Sequence, residues 1–208
     1  PQAELQWRSW LNAEFLTSPL DPRRADSTGV RPALYGSLLI ILITIVVAFP
    51  VGVGAAIYLE EYAGHNRLNQ IIETNINNLA GVPSIIYGML GLVIFVRALE
   101  QITSGQAFGA NTANGRTVLS AGFTLALLIL PLIIINAQEA IRAVPSSLRQ
   151  ASYGLGATQW QTIWHHVLPY AMPGILTGTI LAISRAIGET APLILVGGAT
   201  YLTRDPAG

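Results

Sequence analysis

The sequence predicts an all-α membrane protein whose helices cross the bilayer several times. Of its 208 residues, 51% are hydrophobic and only 11% are charged, and the mean hydropathy is +0.51. Soluble domains carry about a quarter of their residues as charged ones. The sequence also contains four apolar stretches near the roughly 20 residues that a helix needs to cross the hydrocarbon core. Both observations place the chain in a membrane as a polytopic helical bundle.

The charged residues and the missing cysteines exclude several kinds of protein. The formal net charge at pH 7 is zero, so the chain offers no broad basic surface for nucleic acid. Cysteine is absent, which excludes thiolate metal sites and cysteine nucleophiles. All eleven basic residues are arginine. Because a nucleotide-binding P-loop needs a lysine, these residues contain no such ATPase site.

The first predicted span covers residues 34–59, with the sequence LYGSLLIILITIVVAFPVGVGAAIYL. Pro50 has no backbone N–H and predicts a kink. Ala48, Gly52 and Ala56 recur at every fourth residue and therefore share one helix face. Small side chains on one face allow a neighbouring helix to approach closely. We expect another span to pack there.

The second and third predicted spans each contain a proline. The sequence Gly-Val-Pro-Ser at 81–84 interrupts the second span, 77–98, and predicts a broken or re-entrant start. The third span, 118–137, contains the apolar run LALLILPLIII around Pro131. Residues 99–117 between them are rich in Gly, Asn, Ser and Thr, which predicts an exposed loop.

The fourth predicted span, 172–198, contains two charges, Arg185 and Glu189. Each charge costs about 2.5–3.5 kcal/mol at the membrane centre, whereas each Leu, Ile or Val contributes roughly 0.3–0.6 kcal/mol. The ten Leu, Ile and Val residues of this span only about offset the pair. The charges are therefore expected to face protein or water. Small residues on the same side as the charges predict an interior seam or a cavity: Gly174, Gly178, Ala182 and Ala186.

Two hypotheses account for Arg185 and Glu189. In the first, the two side chains only neutralise one another across four residues, although the arginine-first order is the weaker one in a helix. In the second, Arg185 presents its planar guanidinium to a passing oxyanion, and Glu189 holds the guanidinium in place or blocks leakage. The residues alone leave both open.

The connector 138–169 has helical patterning, but its apolar stretches are too short to cross a bilayer. Ser147 with Gln150, and Thr158 with Gln161, match the capping-box spacing of a helix start. A glycine-containing sequence, YGLGAT, separates the two amphipathic pieces. The connector is either a helical hairpin lying on the membrane surface or a docking platform for a soluble partner.

Several single residues in or near this connector have predicted roles. Arg142 and Arg149 are predicted to contact lipid headgroups or a partner protein, and Glu60 with Glu61 to cap a solvated loop. Neighbouring histidines on a helix point about 100° apart. With no third ligand in view, His165 and His166 predict no metal site. Interfacial anchors are expected at the two tryptophans of the connector, Trp160 and Trp164.

The connector resembles the EAA loop of ABC-importer permeases, whose pattern is Glu-Ala-Ala, three residues, Gly, and later Ile-x-Leu-Pro. The matching positions are Gln150, Ala151, Ser152, Gly156, Leu168 and Pro169. Gln150 replaces the glutamate, Ser152 replaces the second alanine and His166 replaces the isoleucine. Three longer stretches, AGVPSIIYGMLGL, AIRAVPSSLRQASYGLGAT and RAIGETAPL, resemble phosphate-importer permeases of the PstA type.

This resemblance implies a type I ABC-importer permease in the bacterial inner membrane, with no catalytic activity and no cofactor of its own. The EAA loop would dock on a dimer of cytoplasmic ABC ATPases. A second permease subunit of the PstC type would enclose the pathway, and a periplasmic binding protein would deliver phosphate. The segment with Arg185 and Glu189 would line that pathway.

The resemblance also implies an organisation of the chain. Residues 1–33 would be a periplasmic segment, and 34–208 the permease domain with its coupling segment at 138–169. A terminal helix at each end of the complete subunit would be missing. The orientation is taken from the resemblance, because the arginine distribution opposes the positive-inside rule.

Alternative functions remain at this stage. The nearest is a permease of the same architecture for sulfate or molybdate. An intramembrane hydrolase using Glu189 and a histidine lacks the H-E-x-x-H pattern. A passive channel would not need a coupling platform.

Overall fold

The computed structural model describes Ser18 and residues 30–64, 66–104 and 115–197. Expectations for 1–17, 19–29, 65, 105–114 and 198–208 lie outside the described residues. Within the described ranges the predicted all-α fold is confirmed. The helices are α1 (Arg31–Ile57), α2 (Arg67–Ala80), α3 (Ser84–Gly91), α4 (Glu100–Thr103), α5 (Val118–Arg142), α6 (Ser146–Gly154), α7 (Gln159–Thr162), α8 (Leu168–Gly188) and α9 (Ala191–Val196).

Three π-helical segments extend these helices: Tyr58–Tyr62 after α1, Leu92–Ala98 after α3, and Ile163–Val167 between α7 and α8. The described residues from Ile40 onward form one compact unit, and those before Ile40 belong to a second. In the second unit, the guanidinium of Arg31 lies 5.6 Å from the ring centroid of Tyr35. The site and the packing described below belong to the first unit.

Three helical runs among the described residues are long and apolar enough to cross a membrane: Arg31–Tyr62, Val118–Arg142 and Gln159–Gly188. The pair Arg67–Ala80 and Ser84–Ala98 forms a fourth candidate that is bent by 104°. This bend lies at 81–83, so the predicted interruption of the second span is confirmed. The hydroxyl of Tyr87 donates across it to the carbonyl of Leu79 at 2.7 Å.

The fourth span differs from its prediction as an unbroken helix over 172–198. Helix α8 is continuous back to Gln159 and ends at Gly188, Glu189 is extended, and α9 begins at Ala191. Pro192 gives the physical reason. Its ring would clash with the carbonyl four residues earlier, that of Gly188, and it has no N–H to donate there.

Helix α5 is the centre of the bundle, and its inward residues are almost fully buried: Leu125, Ile129, Ile133 and Ile141. The small-residue face predicted for the first span packs against it. Ala48 and Ala56 are fully buried, and a Cβ on Gly52 would lie 2.7 Å from Cγ2 of Ile133. The close approach expected from the four-residue spacing is confirmed.

We expect Gly52→Ala to lower the thermal unfolding midpoint of the purified protein in detergent. The added methyl group would push against the stiff, β-branched side chain of Ile133, and overpacking of this kind costs about 1–3 kcal/mol. Gly54→Ala in the same helix is the matched control, because nothing lies within 4 Å of its Cβ position. Equal midpoints for the two variants would contradict the close packing of this face.

Candidate functional site

The packing of α8 against α5 sets the depth of Arg185. A Cβ on Gly178 would lie 2.4 Å from the Cβ of Asn136, and one on Gly174 would lie 2.9 Å from the Cβ of Ala140. Moving four residues back along α8, from Gly178 to Gly174, moves the contact four residues forward along α5, from Asn136 to Ala140. The two helices are therefore antiparallel. Continuing this register for seven residues places Arg185 level with about Ile129, near the middle of the α5 span. The charge lies at mid-depth of the bundle.

The predicted small-residue seam exists, but Arg185 lies beside it. Ala182 and Ala186 are each 2% exposed, and Gly178 is buried against Asn136. The side chain of Arg185 is 42% exposed. It follows Ala182 by three residues, which corresponds to a rotation of about 60° around the helix. Arg185 therefore shares a side of the helix with the small residues, as predicted, but its side chain lies at the exposed edge of the seam and is not buried in it.

Arg185 and Glu189 form a loose ion pair. The Nε atom of Arg185 lies 3.5 Å from Oε1 of Glu189, whose side chain is 17% exposed. Among the described residues, the two Nη groups of Arg185 make no hydrogen bond. The guanidinium therefore presents a planar pair of N–H donors at mid-depth, which is the geometry that binds an oxyanion through two oxygens.

The helix break next to this pair is held by close packing. A Cβ on Gly88 of α3 would lie 2.8 Å from Cα of Pro192, so α9 packs tightly on the bent second span. Backbone without helical hydrogen bonds is tolerated at membrane depth only where it faces protein or water. Broken helices at mid-depth are a feature of substrate sites in transporters.

At the opposite end of α8, the connector forms the short helix α6, as its patterning predicts, but the second predicted piece begins the continuous helical run Gln159–Gly188. The capping box of Thr158 and Gln161 is confirmed. The one expected for Ser147 and Gln150 is wrong. Helix α6 begins at Ser146 directly after Pro145, so Ser147 already lies inside the helix and does not cap it.

Three of the six positions matching the EAA loop form an exposed surface of this connector. Gln150, Ala151 and Gly156 are exposed, and the neighbouring Leu155 is 90% exposed. The backbone of Gly156 has a φ of +80°, a conformation that residues with a Cβ atom rarely adopt. Ser152 is buried, and Leu168 and Pro169 lie in the first turn of α8.

Ser152 has a structural role instead. Its hydroxyl is buried and lies 2.9 Å from the hydroxyl of Thr162, which also donates to the carbonyl of Thr158. A polar group buried in this way needs its hydrogen bond. The pair joins α6 to α7 and fixes the shape of the connector.

Arg149, for which a lipid or partner contact was predicted, forms an ion pair within the chain. Its Nη2 and Nε atoms donate to Oε1 of Glu61 at 2.8 and 3.2 Å. It also donates to the carbonyls of Val144 and Ile141 at 2.8 and 3.0 Å, at the end of α5. Glu61 has a side chain that is only 8% exposed, so the expected solvated loop was wrong.

A second set of ion pairs surrounds Arg142. Its Nη2 atom lies 2.7 Å from Oε1 of Glu60 and 3.8 Å from that of Glu73, and its Nη1 lies 3.5 Å from Glu139. The side-chain amide of Gln159 also donates to the carbonyl of Glu61. These contacts tie the end of the first span to the connector. Sequence reasoning missed them because the Glu61 partners are 88 and 98 residues away along the chain.

The connector also carries an exposed aromatic pair and two adjacent histidines. Trp160 and Trp164 are exposed and stacked, with ring centroids 5.4 Å apart and planes inclined by 11°. His165 and His166 are exposed as well. Within the described part of the chain, no group of three His, Cys, Asp or Glu side chains could hold a metal ion.

The chain is similar to curated transport permeases. It is 41% identical over 178 residues to the phosphate transport system permease protein PstA 1 of Mycobacterium tuberculosis, covering 85% of this chain and 54% of that protein. It is 35% identical over 192 residues to the probable ABC transporter permease protein YqgI of Bacillus subtilis, covering 92% and 60%. It is 34% identical to the permease PstC of Pasteurella multocida, covering 85% and 59%. The chain spans between half and about three fifths of the length of these relatives.

The fold is that of a solved ABC-transporter permease. A chain from inward-facing structures of the MetNI methionine ABC transporter superposes with a TM-score of 0.57 at 22% identity, covering 81% of this chain and 73% of that one. The family model for the "Binding-protein-dependent transport system inner membrane component" matches residues 48–207. This match covers most of the chain, which therefore belongs to that family of inner-membrane proteins.

Proposed function

We propose that this chain forms the pathway-lining part of a permease subunit in an ATP-driven phosphate importer. The observation that carries the proposal is the guanidinium of Arg185, which lies at mid-depth beside a helix break with both Nη groups free of partners among the described residues. The names of the PstA and PstC relatives support phosphate as the transported anion.

The loose contact with Glu189 suits transport better than tight binding. At 3.5 Å the ion pair is longer than a strong charge-assisted hydrogen bond, which measures about 2.7–2.9 Å. A passing phosphate can therefore compete for the guanidinium without breaking an optimal pair. Once the anion leaves, Glu189 again neutralises part of the charge. Weak and transient binding allows release on the other side.

ATP hydrolysis would take place on a separate subunit. The 208 residues contain no lysine and hence no P-loop. The exposed tip of the connector, with Leu155 as its most exposed apolar side chain, is the surface that we assign to the ATPase dimer. The ion pairs of Arg142 and Arg149 would transmit movement of this surface to the end of the first span. A second permease subunit and a periplasmic phosphate-binding protein complete the proposed importer.

Uptake measurements test the substrate. The full-length protein should restore uptake of labelled phosphate to bacteria that lack their own copy of this subunit. A large excess of unlabelled sulfate or molybdate should leave that uptake unchanged. If either anion abolishes uptake, the permease serves that oxyanion instead, and no uptake of any of the three would contradict the proposal.

Gly156→Val should uncouple ATP hydrolysis from uptake. A β-branched residue is strained at a φ of +80°, by about 1–2 kcal/mol or more, so the tip that presents Leu155 must change its conformation. The measurement is the ratio of phosphate taken up to ATP hydrolysed in reconstituted vesicles. Gly154→Val is the matched control, since both glycines have open space around the Cβ position and only Gly156 has a positive φ. An unchanged ratio for Gly156→Val would argue against this surface as the coupling site.

A further inference from the structure

The surface of α8 is divided into three sectors. The buried sector packs against α5 and includes Ala182 and Ala186. An exposed aliphatic sector contains Leu176, Ile180 and Ile187, which lie within about 40° of one another around the helix. Every exposed hydroxyl of α8 falls in the remaining sector, which lies between the aliphatic one and Arg185: Tyr170, Thr177 and Ser184.

The three hydroxyl residues are spaced by seven and therefore lie within about 40° of one another. Tyr170 is 57% exposed, and the side chains of Thr177 and Ser184 are also exposed. Arg185 follows Ser184 directly and borders the same sector on the side of the seam. Leu181 is the apolar residue that interrupts the row. The row extends about 21 Å along the helix.

The depth of the row relates it to the proposed site. Tyr170 lies near the connector, two residues after the start of α8, and Ser184 lies beside Arg185 at the middle of the bundle. The row therefore covers the half of the span between the mid-depth charge and the connector. No hydroxyl is exposed on the aliphatic sector over the same length, so the two sectors present different chemistry to their surroundings.

Rotation of the hydroxyls would make them donors for an anion. Thr177 donates to the carbonyl of Pro173 at 2.8 Å and Ser184 to that of Ile180 at 2.9 Å. These bonds satisfy each hydroxyl within its own helix, and each O–H can turn outward when a better acceptor passes. The positively charged guanidinium at one end and the hydroxyl donors along the row can both donate hydrogen bonds to a hydrated oxyanion.

We infer that Tyr170, Thr177 and Ser184 line the inner half of the anion pathway, between Arg185 and the connector. The aliphatic sector of Leu176, Ile180 and Ile187 faces lipid or protein without water. This inference rests on the proposed function and adds the residues that an oxyanion meets after it leaves Arg185.

Cysteine labelling tests the inference directly, because these 208 residues contain no cysteine. Thr177→Cys and Ser184→Cys would be compared with Leu176→Cys and Ile187→Cys, which lie at similar depths on the exposed aliphatic sector. The full-length protein would be studied in its complex in membrane vesicles during ATP-driven uptake, after any cysteine elsewhere in the subunit is replaced by serine. The probe is a sulfonate-bearing thiosulfonate reagent that does not cross membranes.

We expect the two hydroxyl-sector cysteines to react at least about tenfold faster than the two controls, because only a hydrated thiol ionises to the reactive thiolate. Phosphate should slow the labelling of the cysteine at 184, beside Arg185. Equal rates for all four variants would overturn the inference, while phosphate uptake by the wild-type protein would leave the proposed function standing. Fast labelling that sulfate slows and phosphate does not would support the lining residues and contradict phosphate as the substrate.

Discussion

Replacing Arg185 with glutamine should abolish phosphate uptake while the complex remains assembled. Glutamine keeps a hydrogen-bonding side chain but removes the positive charge and the planar pair of N–H groups. Hydrogen bonds to charged groups contribute about 1.5–3 kcal/mol each, so we expect uptake to fall by at least about tenfold. The cost to folding should be small, because the side chain of Arg185 is 42% exposed and its contact with Glu189 is long.

Two further measurements make this result specific. Arg185→Lys keeps the charge but offers no planar, two-pronged donor, so uptake should lie between those of wild type and Arg185→Gln. Co-purification of the ATPase with each variant shows whether the complex forms. Normal phosphate uptake by Arg185→Gln would refute the role given to this residue.

Arg149→Met should cause the largest loss of stability among the variants considered. It removes the partner of Glu61, whose side chain is only 8% exposed, and the side-chain hydrogen bonds to the carbonyls of Ile141 and Val144. Breaking a buried ion pair by removing one partner costs about 3–5 kcal/mol. The expected result is a strongly lowered unfolding midpoint of the purified protein in detergent.

A double variant separates the cost of leaving the buried carboxylate of Glu61 unpaired from the other effects of replacing Arg149. Glu61→Gln combined with Arg149→Met should recover part of the lost stability, since no charge is then left buried alone. Arg67→Met removes an exposed arginine on α2 and should leave the midpoint nearly unchanged. If Arg149→Met unfolds at the same temperature as Arg67→Met, the ion pair does not stabilise the connector.

Local patterns predicted the features that depend on one stretch of chain. The spans follow from apolar length, and the packing face of Ala48, Gly52 and Ala56 follows from a four-residue spacing. The bend at 81–83 follows from glycine and proline. The break after Gly188 belongs to the same class, because Pro192 indicates it, but the apolar length of the whole stretch concealed it.

Contacts between distant residues were beyond local patterns. Glu60 and Glu61 were expected in a solvated loop, yet they pair with arginines of the connector. No rule of spacing connects residues 88 positions apart, because their distance depends on how the first and third spans pack.

The sequence by itself determined the membrane location, the helical class, the approximate positions of the apolar stretches and the chemistry available to this protein, since apolar length, small-residue spacing and residue type act locally. Only the tertiary structure decided the depth and direction of Arg185. The antiparallel register of α8 on α5 places this residue at mid-depth, and the packing of the two helices buries Ala182 and Ala186 but leaves the side chain of Arg185 exposed at the edge of the seam. The contacts of Gly174 and Gly178 with side chains of α5 set this register. The register is therefore a property of the pair of helices and cannot be read from either helix alone.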